Sequence, residues 1–509
     1  MTARARTAIL GAGPAGLVAA KLARGRDHAV TVFERWSQIG GIWNPASNGA
    51  YESVLTQTSR MAFHYSDHPP SDSLGSTFLD RQQFYEYLRS YIERFDLDGC
   101  IRLGHQVINV ERSNDQWLVA ARRDGHTTVD FFDRVIVATG ELWEPYLPAG
   151  ASRPAAQTAK EYRNPGSFRG ARVLVVGGGV SGADIAAELS GVAKQVDWSL
   201  RRRHLLLPRM WGDVPNDACF SYLGRWLVNS WARDRFLRFL EDRIPSYMQT
   251  YERAGLLPSR FINNAVHVND TAIPAVASGR VRVKSSLESF DSSGRVARFA
   301  DGAEQTYDRV VVCAGYRPPD YSFIKGFSGD KVYRDFFYAE EPTLAILNTP
   351  AYADGFGTAC PFFEAIAYWI LEVFDGRYRL PLQEEMFAWC REQRSREGRR
   401  VFYDCWLETI RIGLESGQLP GPAQDFASYW KIISNSVTPL NLRRDPVTTL
   451  PAAFDDLTDI EGARLRILAS LSEGTLRGLV DRQQISPEDA SRASRLRHVA
   501  LSPQLIAPD

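Results

Sequence analysis

The chain has little that could hold a metal ion or a disulfide framework. Its six cysteines (Cys100, Cys219, Cys313, Cys360, Cys390 and Cys405) are scattered through 509 residues without a C-x-x-C pair. That spacing offers no metal-ligand set, argues against a disulfide-exchange reductase, and suits a reducing compartment, so a cytoplasmic protein without a bound metal is expected. Net charge is also missing, because 60 basic residues balance 60 acidic ones. A broad surface for nucleic acid or for an anionic membrane is therefore not expected. Long apolar runs are absent too. The stretch from Ala365 to Phe374 is far shorter than the roughly 18 residues of a membrane span. The apolar residues behind Arg4 and Arg6 are better explained by the glycines among them than by a secretory signal. What is present, 44% hydrophobic and 24% charged residues, is the balance of a globular protein with several large cores.

Two glycine corners organise the rest. Near the start, Thr7 to Leu10 reads as a buried strand that passes through Gly11-Ala-Gly-Pro-Ala-Gly16 into a helix from Pro14 to Arg24. A second strand from Ala29 to Phe33 ends in Glu34. In mid-chain the pattern repeats: Val173 to Val176, then Gly177-Gly-Gly-Val-Ser-Gly182 with Ala183 and Asp184, then a strand from Gln195 to Leu200. Each is a βαβ unit of the Rossmann type. The first glycine permits a tight turn, the second lets backbone approach a pyrophosphate, the third lets helix and strand pack closely, and the helix N-terminus offers its amides to the anion. Gly11, Gly13, Ala15 and Gly16 are the candidate contacts in the first loop, and Gly177, Gly179, Ser181, Gly182, Ala183 and Asp184 those in the second. Two dinucleotides in one chain suggest electron transfer between them.

The two units differ where nucleotide choice is set. Glu34, 23 residues after Gly11, is placed to accept hydrogen bonds from a ribose diol. The corresponding place, 24 residues after Gly177, holds Arg201, followed by Arg202 and Arg203. A guanidinium there binds a 2′-phosphate that a carboxylate would repel, so the second nucleotide is expected to be NADPH; the alternative is a solvated basic turn.

Between and beyond these corners the reading is coarser. Arg35 to Trp43 contains Gly41, Ile42 and Trp43, where Trp43 serves either the core or a cofactor wall. Tyr51 to Asp67 is polar and without period, as an active-site loop would be. Its His64, and His68 beyond it, could tune a proton or be structural, and Asp67 could orient Arg60 or a histidine. Asp80 to Phe95 has helical spacing, and Val107–Val110, Trp117–Ala121 and Thr127–Phe132 read as antiparallel strands around Asp124-Gly125. Val281–Lys284, Ser286–Phe290 and Ala297–Phe299 read as a hairpin group. Asp133 to Gly140 and Asp308 to Tyr316 are buried strands ending in small-residue corners, where the chain crosses between nucleotide domains and where Gly140 and Gly315 join the candidate contacts. Gly357, Thr358 and the start of a helix from about Phe362 to Phe374 could face a cofactor. Beyond Leu380 the chain reads as helical, with Ser486-Pro-Glu-Asp489 as a capped helix start.

Taken together, these segments resemble the class B flavin-containing monooxygenases over about residues 5 to 380. The resemblance rests on both glycine loops, Glu34-Arg35 to Gly-Gly-Ile-Trp43, Ala138-Thr-Gly140, the arginines after Asp184, and Cys313-Ala-Gly-Tyr316 with its following proline. It implies an α/β fold of two Rossmann-like dinucleotide-binding domains with a mainly helical C-terminal extension. FAD would lie in a domain made of residues 1–165 and 310–380, NADPH in an inserted domain of residues 166–309. Residues 381–509 would then cover the active-site mouth or build a homodimer. By position, FAD would contact Gly11, Gly13, Gly16, Glu34, Arg35, Ile42, Trp43, Thr56 and Gln57, and NADP would contact Ser181 to Asp184 and Arg201. The chain departs from the family in two places. The Thr-Asn pair beside the flavin is Thr56-Gln57, one methylene longer. The Phe-x-Gly-x-x-x-His-x-x-x-Tyr signature reduces to Tyr162, with Thr158 at the histidine place and Ser152 and Pro154 at the phenylalanine and glycine places. Baeyer–Villiger relatives carry Trp where Tyr162 stands, so that variant is unmatched as well.

The activity implied is FAD-dependent and NADPH-consuming: reduced flavin adds O2 at C4a, and a small soft nucleophile, an amine nitrogen or a sulfide, takes the distal oxygen. Gln57 is the catalytic candidate, as a hydrogen-bond partner near N5 and C4a; a lone buried polar residue is the rival account. Other readings are oxygenation of a ketone, an NADPH-linked flavin reductase, and a flavin-binding sensor.

Overall fold

The computed structural model describes all residues except 1–3, 48, 73–74, 149–155, 230, 260–265, 349–359, 396–404, 437, 444–459 and 498–509. The fold is α/β, with two parallel sheets of the Rossmann type and a helical C-terminal part. In the first unit the strand Arg6–Leu10 sits between Ala29–Glu34 and Arg134–Val137, all parallel, with Ile9 opposite both Val32 and Ile136. Leu344–Ile346 continues the sheet beside Arg134–Val137, Ile101–Leu103 closes the far edge, and two short antiparallel strands close the other. The helix Pro14–Arg24 forms where the sequence starts it with proline and ends it with Lys21 and Arg24 in the last turn, signs that suit the helix dipole. Its buried face meets the helix Cys360–Phe374, and Leu17, Val18, Ile366, Trp369 and Ile370 share one core there. Each of the aliphatic side chains among them, taken out of water, contributes about 1.5–3 kcal/mol.

The second sheet is wholly parallel, in the order Val281–Lys284, Gln195–Ser199, Arg172–Val176, Arg309–Val312, Ala156–Thr158. Val173 to Val176 are all buried, the unbroken apolar run of a sheet covered on both faces. The sheet takes in one strand from before residue 166 and one that ends beyond residue 309, so its membership is wider than the 166–309 stretch. Val281–Lys284 is not a hairpin strand, as its sequence suggests, but pairs parallel to Gln195–Ser199. The short helix Ala272–Ala277 ahead of it supplies the crossover, and a four-residue run does not reveal which partner it will find. The remaining hairpins form as expected: Asp124 and Gly125 both have positive φ (49° and 80°), the backbone of a tight turn that follows strand twist.

The C-terminal part contains the helices Gln383–Ser395, Cys405–Glu415, Phe426–Ser434, Ile460–Ser470, Glu473–Asp481 and Pro487–Leu496. Ser486 caps the last of these by accepting a 3.0 Å hydrogen bond from the amide of Asp489. Cys405–Glu415 packs on Cys360–Phe374, Ser436 Oγ donates to Ala218 O at 3.3 Å and Thr438 Oγ1 to Met61 O at 3.4 Å. The extension thus lies against both units. No helix among the described residues is long and apolar enough to cross a membrane.

Candidate active site

The two glycine corners are near copies of each other. Gly11 has φ +114°, and a Cβ there would lie 2.3 Å from Ala138 O; Gly177 has φ +123°, and a Cβ would lie 2.1 Å from Cys313 O. Only glycine meets both demands. The carbonyls that press on these glycines belong to Ala138-Thr-Gly140 and Cys313-Ala-Gly315, which explains why each loop comes with such a strand end. Gly16 and Gly182 are closed in the same way: a Cβ there would lie 1.9 and 2.0 Å from the carbonyl oxygen of the first glycine in each loop. Gly13 and Gly179 are different. Each is the N-cap of its helix without a side-chain cap, so free amides point outward. A Cβ on Gly179 would meet nothing within 4 Å, and one on Gly13 nothing nearer than Gly41 Cα at 3.6 Å. Uncapped amides beside open space are what a pyrophosphate requires.

One cleft of about 770 Å³ joins the corners. Of the residues expected from sequence, Gly11, Gly13, Ala15, Glu34, Arg35, Gly41, Ile42, Trp43, Thr56, Gln57, Gly140 and Ser181 line it; Gly16, Gly177, Gly179, Gly182, Ala183, Asp184, Arg201, Arg202 and Gly315 do not. Arg201 and Arg202 are exposed at the end of the strand Gln195–Ser199. Both oxygens of Asp184 are engaged within the protein, by Tyr51 Oη at 2.6 Å and Asn269 Nδ2 at 2.5 Å.

The lining is prepared electrostatically. Glu34 is buried, which raises its carboxyl pKa, while amides oppose the shift: Trp36 N donates to Oε1 at 2.9 Å and Ala12 N to Oε2 at 2.8 Å. Each oxygen keeps a lone pair for a diol. The Arg35 guanidinium lies 4.3 Å from the Trp143 ring centroid, its pKa lowered by burial. Trp43 is both wall and core, since it lines the cleft and packs edge-on against Phe84 at 4.7 Å. Thr56 is fixed to Leu79 in both directions, its N donating to Leu79 O at 2.9 Å and its Oγ1 accepting from Leu79 N at 3.0 Å. Gln57 Oε1 is buried and has no hydrogen-bond partner among the described residues. A polar atom left unpaired in a cleft fits a ligand that would satisfy it.

Other expected residues take structural roles. His64 is buried, with Nδ1 2.7 Å from Tyr65 O, and does not line the cleft. Asp67 pairs with Lys21, not with Arg60, which pairs instead with Asp72. Tyr162 is buried and donates to Glu188 at 2.6 Å, and Thr158 Oγ1 donates to Glu161 at 2.9 Å, so neither lines the cleft. Ser152, Pro154, Gly357 and Thr358 lie outside the described residues.

Several supporting residues carry no sequence signal. Buried Asn348 accepts from Gly140 N at 2.8 Å and donates to Tyr321 Oη at 2.9 Å, fixing one cleft corner. Buried Glu364 accepts from Ser66 N and Oγ at 2.8 and 2.6 Å, its pKa raised by burial. Arg209 and Asp217 reach from the second unit to the loop that carries Gln57.

A family described as Flavin-binding monooxygenase-like matches residues 4–413. Flavin-containing monooxygenase 5 of Rattus norvegicus is 32% identical over 447 residues, 80% of this chain and 80% of that protein. The N-oxide-forming dimethylaniline monooxygenase 4 of Mus musculus is 31% identical, over 75% of this chain and 72% of its own length. Among solved structures, S-allyl-L-cysteine S-oxygenase from Allium sativum superposes with a TM-score of 0.60 at 20% identity, covering 82% of this chain and 89% of that one. The open structure of cyclohexanone monooxygenase gives 0.58 at 18% identity, covering 79% and 95%. At those identities the structures speak for the fold, while the matching family and the sequence relatives speak for kinship. The chain belongs to the Flavin-binding monooxygenase-like family, and is an NADPH-dependent flavoprotein monooxygenase that uses FAD and NADPH and acts with O2 on a small molecule.

Proposed function

We propose that this monooxygenase oxygenates a small soft nucleophile, an amine nitrogen or a sulfide sulfur, with FAD held by the first unit and NADPH by the second. The observation that carries the reading is a cleft lined both by Gly11, Gly13, Glu34 and Gln57 and by Val180 and Ser181 of the helix Val180–Leu189. A nicotinamide bound to one unit can meet a flavin bound to the other there. Gly13 and its helix amides would hold the FAD pyrophosphate and Glu34 the ribose, with Arg35, Ile42 and Trp43 as walls. Gly179 and Ser181 would hold the NADPH pyrophosphate, and Arg201 and Arg202 the 2′-phosphate. The chemistry that the bound cofactors supply is hydride transfer from NADPH to FAD and activation of O2 at the reduced flavin. The chain's own residues orient the two rings, exclude water and, through Gln57, offer a hydrogen bond beside them.

Two features favour nitrogen or sulfur over a ketone. A 31% identical relative is named for forming an N-oxide, and Tyr162 stands where ketone-oxygenating relatives carry Trp. The six cysteines are scattered without a C-x-x-C pair, and five of them are buried, a usage that favours a cytoplasmic setting. The test is competition. The protein is given NADPH, O2 and an equimolar mixture of a tertiary amine, a thioether and a cyclic ketone, and products are read by mass spectrometry. An N-oxide or a sulfoxide is expected. A lactone as main product overturns the substrate class, and hydrogen peroxide alone overturns oxygenation.

A further inference from the structure

We propose that Arg209, anchored by Asp270, is a positioning residue that sets Gln57 in the cleft from the side of the second unit. The proposal rests on the reading of Gln57 as the hydrogen-bonding group beside the flavin.

Gln57 sits in a stretch whose flanks are held by the other unit. Arg209 follows the strand Leu205–Leu207 and is only 7% exposed. Its Nε donates to Thr56 O at 3.0 Å and its Nη2 to Leu55 O at 3.4 Å, so one guanidinium spans the two carbonyls just before Gln57. Asp270 holds Arg209 at both ends, accepting from its guanidinium Nη1 at 2.5 Å and from its backbone amide at 2.6 Å. On the far flank, buried Asp217 accepts from Ser59 N at 2.6 Å. Between these anchors Gln57 Oε1 is left without a partner among the described residues.

The same segment reaches the second glycine corner. Asn269, next to Asp270, donates to Asp184 on the helix that begins at Val180. One dipeptide therefore touches both the helix that would carry the NADPH pyrophosphate and the arginine that holds the Gln57 loop.

The arrangement answers a need that the sequence creates. Gln57 has one more rotatable bond than the family's asparagine, and a longer side chain aims its amide only if its backbone is fixed. A guanidinium fork can bridge two carbonyls and a carboxylate at once, whereas an ammonium on a flexible stem cannot hold that plane. Small displacements of a group at a reacting centre are costly out of proportion to their size.

The experiment combines Arg209→Lys, and separately Asp270→Asn, with Gln57→Ala in the FAD-loaded protein. Three quantities are read: the share of oxidised NADPH that leaves as hydrogen peroxide, the visible circular dichroism of bound FAD, and the melting temperature. Arg209→Lys is expected to raise the peroxide share several-fold and to change the dichroism, with the KM for NADPH little altered. In the Gln57→Ala background the same substitution is expected to add nothing, because its target is gone. An equal rise in both backgrounds overturns the proposal, as does a lower melting temperature with peroxide share and dichroism unchanged. Should Arg209→Lys not fold, Asp270→Asn decides, since that carboxylate is 38% exposed and its loss leaves the fork in place. Gln57→Ala without effect on either readout overturns the role of Gln57 and this proposal together. A wild-type protein that makes only peroxide sinks the oxygenase reading alone, because the dichroism still reports on Arg209.

Discussion

The phenol of Tyr51 donates a 2.6 Å hydrogen bond to Oδ2 of Asp184, tying the flavin-side loop to the helix of the second glycine corner. Both groups are desolvated, and burial raises the pKa of each. Tyr51→Phe would leave the carboxylate with Asn269 as its remaining side-chain partner. The expected loss is about 1–3 kcal/mol, the cost of stranding a buried acceptor. Urea denaturation measures it, and a midpoint unchanged from wild type would show that the bond contributes nothing.

Gly177 and Gly179 are two residues apart and should respond in opposite ways. Gly177→Ala meets a carbonyl at 2.1 Å in a backbone region foreign to L-residues, so it should destabilise the fold by about 1–3 kcal/mol from the backbone alone, with the clash added. Gly179→Ala meets nothing and should cost about 0.5–1 kcal/mol as an N-cap change, where glycine is preferred to alanine. Its effect should fall on the nucleotide, with a KM for NADPH about tenfold higher, the equivalent of about 1.4 kcal/mol of lost contact. Thermal melts and steady-state kinetics separate the two, and a normal KM in Gly179→Ala would place the pyrophosphate elsewhere.

What could be read in advance was whatever the chain writes locally. The glycine spacings, the Val-rich strands and the place of Glu34 are short patterns visible within one βαβ unit, although the carbonyls that demand glycine at positions 11 and 177 come from distant Ala138 and Cys313. Arg209, Asp217 and Asn348 are single polar residues in stretches without period, and their partners lie 153, 158 and 208 residues distant. No local rule marks a residue whose purpose is set by tertiary contact. Asp184 shows the converse: its place in the loop suggested the nucleotide, yet Tyr51 and Asn269 already take both oxygens. The helical character of the C-terminal part was legible, and the start of its last helix from the Ser486 cap, but not its seat on Met61 and Ala218.

Arg201 should decide between NADPH and NADH. It is exposed at the end of its strand, so removing it strands no buried partner, and Arg201→Ala should leave the melting temperature unchanged. Hydrogen bonds to a charged group are worth about 1.5–3 kcal/mol, so kcat/KM for NADPH should fall by about tenfold or more. NADH lacks the 2′-phosphate and should be used as well as before. Equal losses for both nucleotides would refute the assignment and leave Arg201 a solvated basic turn.

His64 should give the protein a stability that depends on pH in mildly acidic solution. The ring is 2% exposed, and burial lowers its pKa from 6.5 to about 4, against the Tyr65 carbonyl that favours the charged form. Between those values the unfolded chain binds a proton that the folded chain refuses. Stability is therefore complete above about pH 6.5 and falls as the pH drops toward 4, by about 3 kcal/mol in all. Buried carboxyls with raised pKa, such as Asp217 and Glu364, act in the opposite direction, so the wild-type curve alone does not isolate the histidine. The difference between wild type and His64→Asn does, because the carboxyls cancel. Urea midpoints measured from pH 7 to pH 4 should converge as the pH falls, the wild type losing more than the variant; parallel curves would mean that His64 titrates alike in both states.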